Sequence, residues 1–310
     1  MQMGNLTQAQ FNAILGIIIS FIIIMILFII YIGFCSFALK KVLRPTKRTK
    51  EASIQKAVEQ KSLDESFVNF PYEEVWLDST FGYRLHGRLY INENKTNKFI
   101  MVLHGHASNG IGVLVYAKEF LRLGYNVLVP DHRGSGESGG KGHSMGHYEK
   151  FDAMQWVDLI EERYESAEFG VFGESMGGAT AIMLTALDDR IKFLIEYCAY
   201  AHFEEVIQSF IKKRWLFKFF LPGLRAISSG IYSVNFKETA AVDAMKDITV
   251  PVLIIHSKGD TLVTYLNAEK LAKANPNAKV ITFDDSPHAR TIALYREEFV
   301  GAIENFIENL

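Results

Sequence analysis

Cysteine is almost absent from this 310-residue chain, which holds only Cys35 and Cys198. Two thiols cannot build a disulfide framework or, by themselves, a cysteine-rich zinc site. The nine histidines lack a ligand spacing that would suggest another metal centre. Net charge is nearly absent as well, at −2, and this argues against a general nucleic-acid binder, which carries a basic excess. Proline is scarce, with 7 residues, and glycine is ordinary, with 23; neither a collagen-like nor a disordered chain has such a composition. The glycines at 134, 136, 139 and 140 are not followed by the lysine and Ser/Thr of a phosphate-binding loop. No internal repeat is visible. The most informative absence is local: residues 1–39 contain no Asp, Glu, Lys, Arg or His.

That stretch holds the hydrophobic excess of the chain. After a short tail, residues 1–12, the run Ala13–Leu39 is broken only by small or weakly polar residues. As a helix it would reach roughly 40 Å, enough to cross a bilayer core of about 30 Å with tilt. A cleavable signal peptide would need a basic start and a shorter apolar core. A lipoprotein signal would need a small residue before Cys35, where Phe34 stands. Residues 13–39 are therefore expected to be a single transmembrane helix. Lys40, Lys41, Arg44, Lys47, Arg48 and Lys50 follow at once, and the chain beyond residue 50 carries 27 basic against 35 acidic groups. Basic residues after a span tend to remain on the cytoplasmic side, so the bulk of the chain is expected there. Residues 40–71 read as a basic juxtamembrane linker, with a short helix at Ser53–Gln60.

From residue 72 to 310 the texture is globular. Apolar runs suited to strands occur at Glu73–Asp78, Tyr83–Ile91, Phe99–Leu103, Tyr125–Val129, Phe169–Phe172, Lys192–Tyr197, Val252–His256 and Lys279–Phe283. Most are trailed by helical patterns, which implies βαβ units and a mostly parallel eight-stranded sheet with helices on both faces. The rhythm breaks between Ala201 and Lys246. This segment is too long for a simple loop and mixes Phe210, Trp215, Phe217, Phe219 and Phe220 with Lys212, Lys213, Arg214 and Lys218.

The chemistry is carried by Gly173-Glu174-Ser175-Met176-Gly177, a G-x-S-x-G between a strand and an Ala-rich helix. Such a turn strains the serine and exposes its hydroxyl. Gly173 and Gly177 remove the Cβ atoms that would crowd it. A serine nucleophile needs a base, and the base needs an orienting acid. Asp260 and His288 both follow strand ends, in the order Ser, acid, His. Asp284 and Asp285 are nearer to His288 in sequence but read as solvated or loop-bonding. Two backbone N–H groups, of Met176 and of His106 in the loop His104-Gly105-His106, are the candidate oxyanion hole, with Gly105 permitting the sharp turn. His104 is expected to shape that loop, and the His106 side chain to reach the pocket as an alternative.

These residues, together with Asp131-His132-Arg133-Gly134-Ser135-Gly136-Glu137-Ser138, resemble the α/β-hydrolase superfamily over about residues 72–310, in the branch of serine aminopeptidase-like and monoacylglycerol-lipase-like enzymes. The stretch Asp131–Ser138 is similar to that family's D-x-R-G-x-G-x-S loop, which supports the site. One departure is the lack of a His-Gly-Gly-Gly loop. The resemblance implies an α/β-hydrolase fold with a helical cap at residues 201–246, there to line an acyl pocket or dock to the membrane. It also implies a serine hydrolase that needs no cofactor and acts on a small-molecule or lipid-like acyl ester. A peptidase or amidase of the same fold, and a non-catalytic scaffold, are the alternatives; protein partners are left open.

Overall fold

The computed structural model describes residues 7–59, 65–211 and 213–310. The first helix, α1, runs from Gln8 to Leu43. Thr7 caps it reciprocally: Gln10 N–H donates to the Thr7 hydroxyl at 3.3 Å, and Thr7 N–H to the Gln10 side chain at 2.9 Å. Its charge-free part is long and apolar enough to cross a membrane. Residues such as Ile17, Phe21, Ile24 and Ile29 are exposed, whereas Cys35, Leu39 and Leu43 are buried. The helix is thus wider than the apolar run 13–39, and its last third is packed on the rest of the protein.

Helices α2 (Lys50–Glu59) and α3 (Glu65–Val68) follow. Residues 60–64 and Lys212 lie outside the described residues, as does the first half of the expected tail, residues 1–6. The sheet comprises β1 (Glu73–Ser79), β2 (Tyr83–Tyr90), β3 (Lys98–Leu103), β4 (Asn126–Pro130), β5 (Glu168–Glu174), β6 (Ile191–Tyr197), β7 (Val252–Ser257) and β8 (Lys279–Phe283). Their spatial order is β1-β2-β4-β3-β5-β6-β7-β8. β2 pairs antiparallel with β1 and β4, and every other pairing is parallel. Helices α4 (Leu114–Arg122), α5 (Glu149–Arg163), α6 (Met176–Thr185), α10 (Leu266–Ala274) and α12 (Arg296–Glu308), with the short α11 (Thr291–Leu294), alternate with the strands. Between β6 and β7 come α7 (Phe203–Phe210), α8 (Arg214–Tyr232) and α9 (Ala241–Met245). These form the cap.

The sheet from β2 to β7 is buried on both faces, while the edge strands β1 and β8 are partly exposed. One side packs Leu103, Val171 and Ile254 against α5 and α6; the other packs Val102, Phe172 and Ile255 against α4 and α12. Continuous apolar strands suit this arrangement, because parallel strands covered twice have no solvent face. Strand order reverses around β3, which lies between β4 and β5. In open sheets of this kind the crevice beyond the strand C-termini at such a reversal is where ligands bind.

α1 and the cap are fitted to each other at Pro222. The Tyr31 hydroxyl accepts from Gly223 N–H at 3.0 Å and donates to the Phe219 carbonyl at 3.2 Å. Those two groups are four residues apart in α8, the spacing of a helical hydrogen bond, and the proline between them lacks a donor of its own. Gly223 is required there, since a Cβ would lie 2.5 Å from the Tyr31 ring. Phe34 and Phe220 rings extend the contact, 4.2 Å between centroids.

Candidate active site

Ser175 stands between β5 and α6 at φ 56°, ψ −114°, a conformation that costs a non-glycine residue of order 1–3 kcal/mol. The surroundings hold it there. Ser175 N–H donates to the Tyr197 carbonyl at 2.8 Å. A Cβ on Gly173 would lie 2.2 Å from the Gly177 carbonyl oxygen, and one on Gly177 2.2 Å from that of Leu103. The two glycines therefore let strand, turn and neighbouring strand close to contact distance.

The structure brings Ser175, His288 and Asp260 together in a relay. His288 Nδ1 is 2.6 Å from Asp260 Oδ2, and its Nε2 is 2.9 Å from Ser175 Oγ. The carboxylate assigns the proton to Nδ1, so Nε2 accepts from the serine hydroxyl. Asp260 is buried, and its other oxygen accepts from Leu262 and Val263 N–H, each at 2.9 Å. Asp284 and Asp285 point elsewhere: Asp284 pairs with Lys258 at 2.9 Å, and Asp285 accepts from the Tyr295 hydroxyl. Among the described residues, Cys198, Asp260 and His288 form a convergent group of metal-type ligand atoms. Two of the three already serve the relay, and burial pushes the Cys198 thiol well up, which keeps it a neutral thiol.

Met176 opens α6, where the first N–H groups of a helix have no intrahelical acceptor. The loop after β3 faces it: a Cβ on Gly105 would lie 3.4 Å from Ser175 Cβ. His104 shapes that loop, with Nδ1 2.8 Å from the Gly105 carbonyl and Nε2 accepting from His132 N–H at 3.0 Å. The His106 ring turns towards α1, where Nε2 is 2.6 Å from the Val42 carbonyl. Burial lowers the His104 and His106 pKa values, so both rings are neutral donors or acceptors.

The Asp131–Ser138 loop braces this loop from below. Asp131 accepts from Gly110 N–H at 2.7 Å and contacts His86 Nδ1 at 2.8 Å. Burial opposes its ionisation, but His86, Arg88 and His104 hold the carboxyl well below the usual range. Gly136, at φ 44°, leaves no room for a Cβ, which would lie 2.3 Å from the Asp131 carboxylate.

Two cavities meet at Ser175. One, of about 490 Å³, is apolar and runs between α1 and the cap, lined by Phe34, Ala38, Met176, Ile207, Phe210 and Val263. Its described lining includes no carboxylate. The other, of about 270 Å³, is polar and is bordered by Arg48, Lys56, Glu174, His288 and Arg290. Arg48 and Lys56 come from the segment expected to be a linker. Lys47 Nζ also donates to the Ser138 carbonyl at 2.6 Å, and His143 N–H to the Leu43 carbonyl at 2.8 Å. The only sequence signal for this docking is the small pair Ser53 and Ala57, four residues apart and buried on α2.

Comparison with known proteins agrees with this fold. A family model described as serine aminopeptidase, S33, matches residues 94–234. The Bacillus subtilis protein YqkD is 29% identical over 276 residues, covering 85% of this chain and 88% of its own. The lysophosphatidylserine lipase ABHD12 of Danio rerio is 29% identical over 56% of this chain and 46% of its own. Among solved structures, the Pyrococcus furiosus esterase Pf2001 superposes with a TM-score of 0.65 at 25% identity, covering 80% of this chain and 95% of its own.

Proposed function

The chain is an α/β-hydrolase, and on that premise we propose that it is a membrane-anchored serine hydrolase that cleaves carboxylic esters of acyl chains. The observation that carries this reading is the Ser175–His288–Asp260 relay at the meeting point of an apolar and a polar cavity. Ser175 Oγ attacks the ester carbonyl while its proton passes to His288 Nε2. Asp260 keeps the imidazole in the right tautomer and stabilises the imidazolium. Met176 and His106 N–H groups receive the negative charge on the carbonyl oxygen. The C–O bond to the alcohol then breaks, and the alcohol departs with the proton from His288. Water, deprotonated by His288, releases the acid and restores Ser175. No cofactor enters these steps.

Ester cleavage is favoured over aminopeptidase activity by charge. A free amino terminus would lie on the acyl side, and the cavity there offers Lys41 but no carboxylate among its described lining. The intact relay likewise favours an enzyme over a scaffold.

Residues from about Gln8 to Ile30 are proposed to span the bilayer, because they protrude from the domain and would extend about 34 Å. Exposed Trp215 and Phe219, with Lys213, Arg214 and Lys218, would lie at the headgroup level. The basic residues after the span favour the cytoplasmic side of the cell membrane for the domain. Fluorophosphonate labelling of the full chain, with a panel of p-nitrophenyl esters and aminoacyl-arylamides, tests the chemistry. Labelling that survives Ser175→Ala, or arylamide cleavage without ester turnover, would refute it. A C-terminal reporter active only outside the cytoplasm would refute the orientation.

A further inference from the structure

The two cavities at Ser175 are not equivalent, and the relay tells which part of an ester each receives. His288 borders the polar cavity and not the apolar one; Met176 borders the apolar cavity and not the polar one. The departing alcohol must take its proton from His288, so it leaves through the polar side. The acyl chain then occupies the apolar side, next to Met176, while His106 borders both cavities.

The polar side has a definite charge. Arg48 and Lys56 reach it from the segment just after α1, Arg290 from the loop that carries His288, and Glu174 is the one carboxylate on its described border. Glu174 is already engaged, accepting from the Tyr116 hydroxyl at 2.7 Å, and burial pushes its carboxyl up. The cations feel one another: Lys56 is held below its ordinary pKa, first by partial burial and then by Arg48, with Arg290 adding to this and Glu174 opposing it. A site where three cations face one carboxylate, itself already hydrogen-bonded to Tyr116, gains by taking up an anion.

We infer that the preferred substrate is an acyl ester whose alcohol portion carries an anionic group, phosphate or carboxylate, received by Arg48 and Lys56 beside Ser175. This rests on the serine-ester reading above and adds the substrate class to it. The juxtamembrane segment is then a specificity element, placed so that a lipid meets the apolar cavity and the cations at the edge of the bilayer.

The test uses the full chain in neutral detergent micelles and three esters of one acyl chain: lauroyl glycerol, lauroyl glycerol phosphate and O-lauroyl glycolate. Losing a charge-assisted hydrogen bond costs roughly tenfold in binding. The expected result is a kcat/KM at least about tenfold higher for one of the anionic esters than for the neutral one. That ratio should fall about tenfold in Lys56→Gln and in Arg48→Gln, and should fall in the unaltered protein as salt is raised. Whether phosphate or glycolate gives the larger ratio identifies the anion. Fluorophosphonate labelling of each variant reports that the fold and nucleophile survive, and the salt series needs no variant. A ratio of one or less in the unaltered protein, or a ratio that neither salt nor the labelled variants move, overturns the inference and leaves the esterase reading standing. Absence of fluorophosphonate labelling of the unaltered protein overturns the esterase reading and this inference with it.

Discussion

Glu196 offers a pH test of the core beneath the site. It lies on β6, fully buried; one carboxyl oxygen accepts from Ala199 N–H at 2.9 Å, and the other has no partner. Burial pushes its pKa from 4.5 up to about 8, with the Ala199 hydrogen bond opposing. The folded protein therefore keeps Glu196 protonated at neutral pH, while the unfolded chain ionises it above about 4.5. Because the unfolded state binds fewer protons through that window, stability falls as pH rises from 4.5 and levels off above about 8. Between pH 5 and 8 the loss comes to about 3.5 kcal/mol. Glu196→Gln removes the titration and keeps an oxygen for Ala199; the cost of its unpaired amide is the same at every pH. Asp152, whose carboxyl burial raises to about 6, contributes a loss of the same sign, but it is common to both proteins and cancels. Thermal unfolding of the full chain in detergent micelles should thus show the variant gaining on the unaltered protein by about 3.5 kcal/mol from pH 5 to pH 8, or roughly 7–14 °C in Tm. Parallel pH profiles for the two proteins would refute a protonated Glu196.

Four further outcomes follow from the geometry. Asp260→Asn should lower kcat by about ten-thousandfold with the fold retained, as expected when the base loses its orienting acid, while Asp284→Asn should stay near the unaltered rate; steady-state kinetics on one ester compares them. Ala38→Trp should fill the apolar cavity from the α1 side and shift preference to shorter acyl chains, since each methylene excluded forfeits about 0.8 kcal/mol, or about fourfold in kcat/KM. An unchanged chain-length profile would place the acyl group elsewhere. Tyr31→Phe should cost roughly 1–3 kcal/mol by stranding the Gly223 N–H and Phe219 carbonyl, read as a lower unfolding midpoint. Gly177→Ala should abolish Ser175 labelling, because its Cβ has backbone 2.2 Å away that cannot move without opening the turn.

Much of the hydrolase domain could be read from local pattern. Strands buried on both faces announce themselves as apolar runs, so Glu168–Glu174 encloses the expected Phe169–Phe172; the edge strand Lys279–Phe283, only half-buried, appears at the expected bounds through its Val-Ile-Thr-Phe run. The residues that converge at the site were legible because strand ends and G-x-S-x-G restrict where a nucleophile, acid and base can stand. The Ala201–Lys246 break was also visible, though not its division into α7, α8 and α9. What escaped was the segment between α1 and β1. Its contacts, and those of the end of α1 that leads into it, run through backbone carbonyls, such as Ser138 to Lys47 and Val42 to His106. A carbonyl is the same at every residue and leaves no signature. The face of α2 that packs on the site is made of Ser53 and Ala57, too small to stand out as an apolar stripe.

That omission changes what the N-terminal helix is for. A helix that only tethers would leave its domain indifferent to its removal. Here Cys35, Leu39 and Leu43 are buried against the domain, and burying each such side chain is worth roughly 1.5–3 kcal/mol. Together they amount to a sizeable part of the 5–15 kcal/mol by which a domain is ordinarily stable. Phe34, Phe37, Ala38 and Lys41 also wall the apolar cavity. Deleting residues 1–45 would strip those walls and the acceptor of His106 at once. Activity lost on truncation would therefore say nothing about membrane recruitment unless the chain-length profile were measured too. A pure tether predicts that the truncated protein keeps its profile on soluble esters; a helix that forms part of the site predicts that the profile broadens or collapses even where no membrane is present.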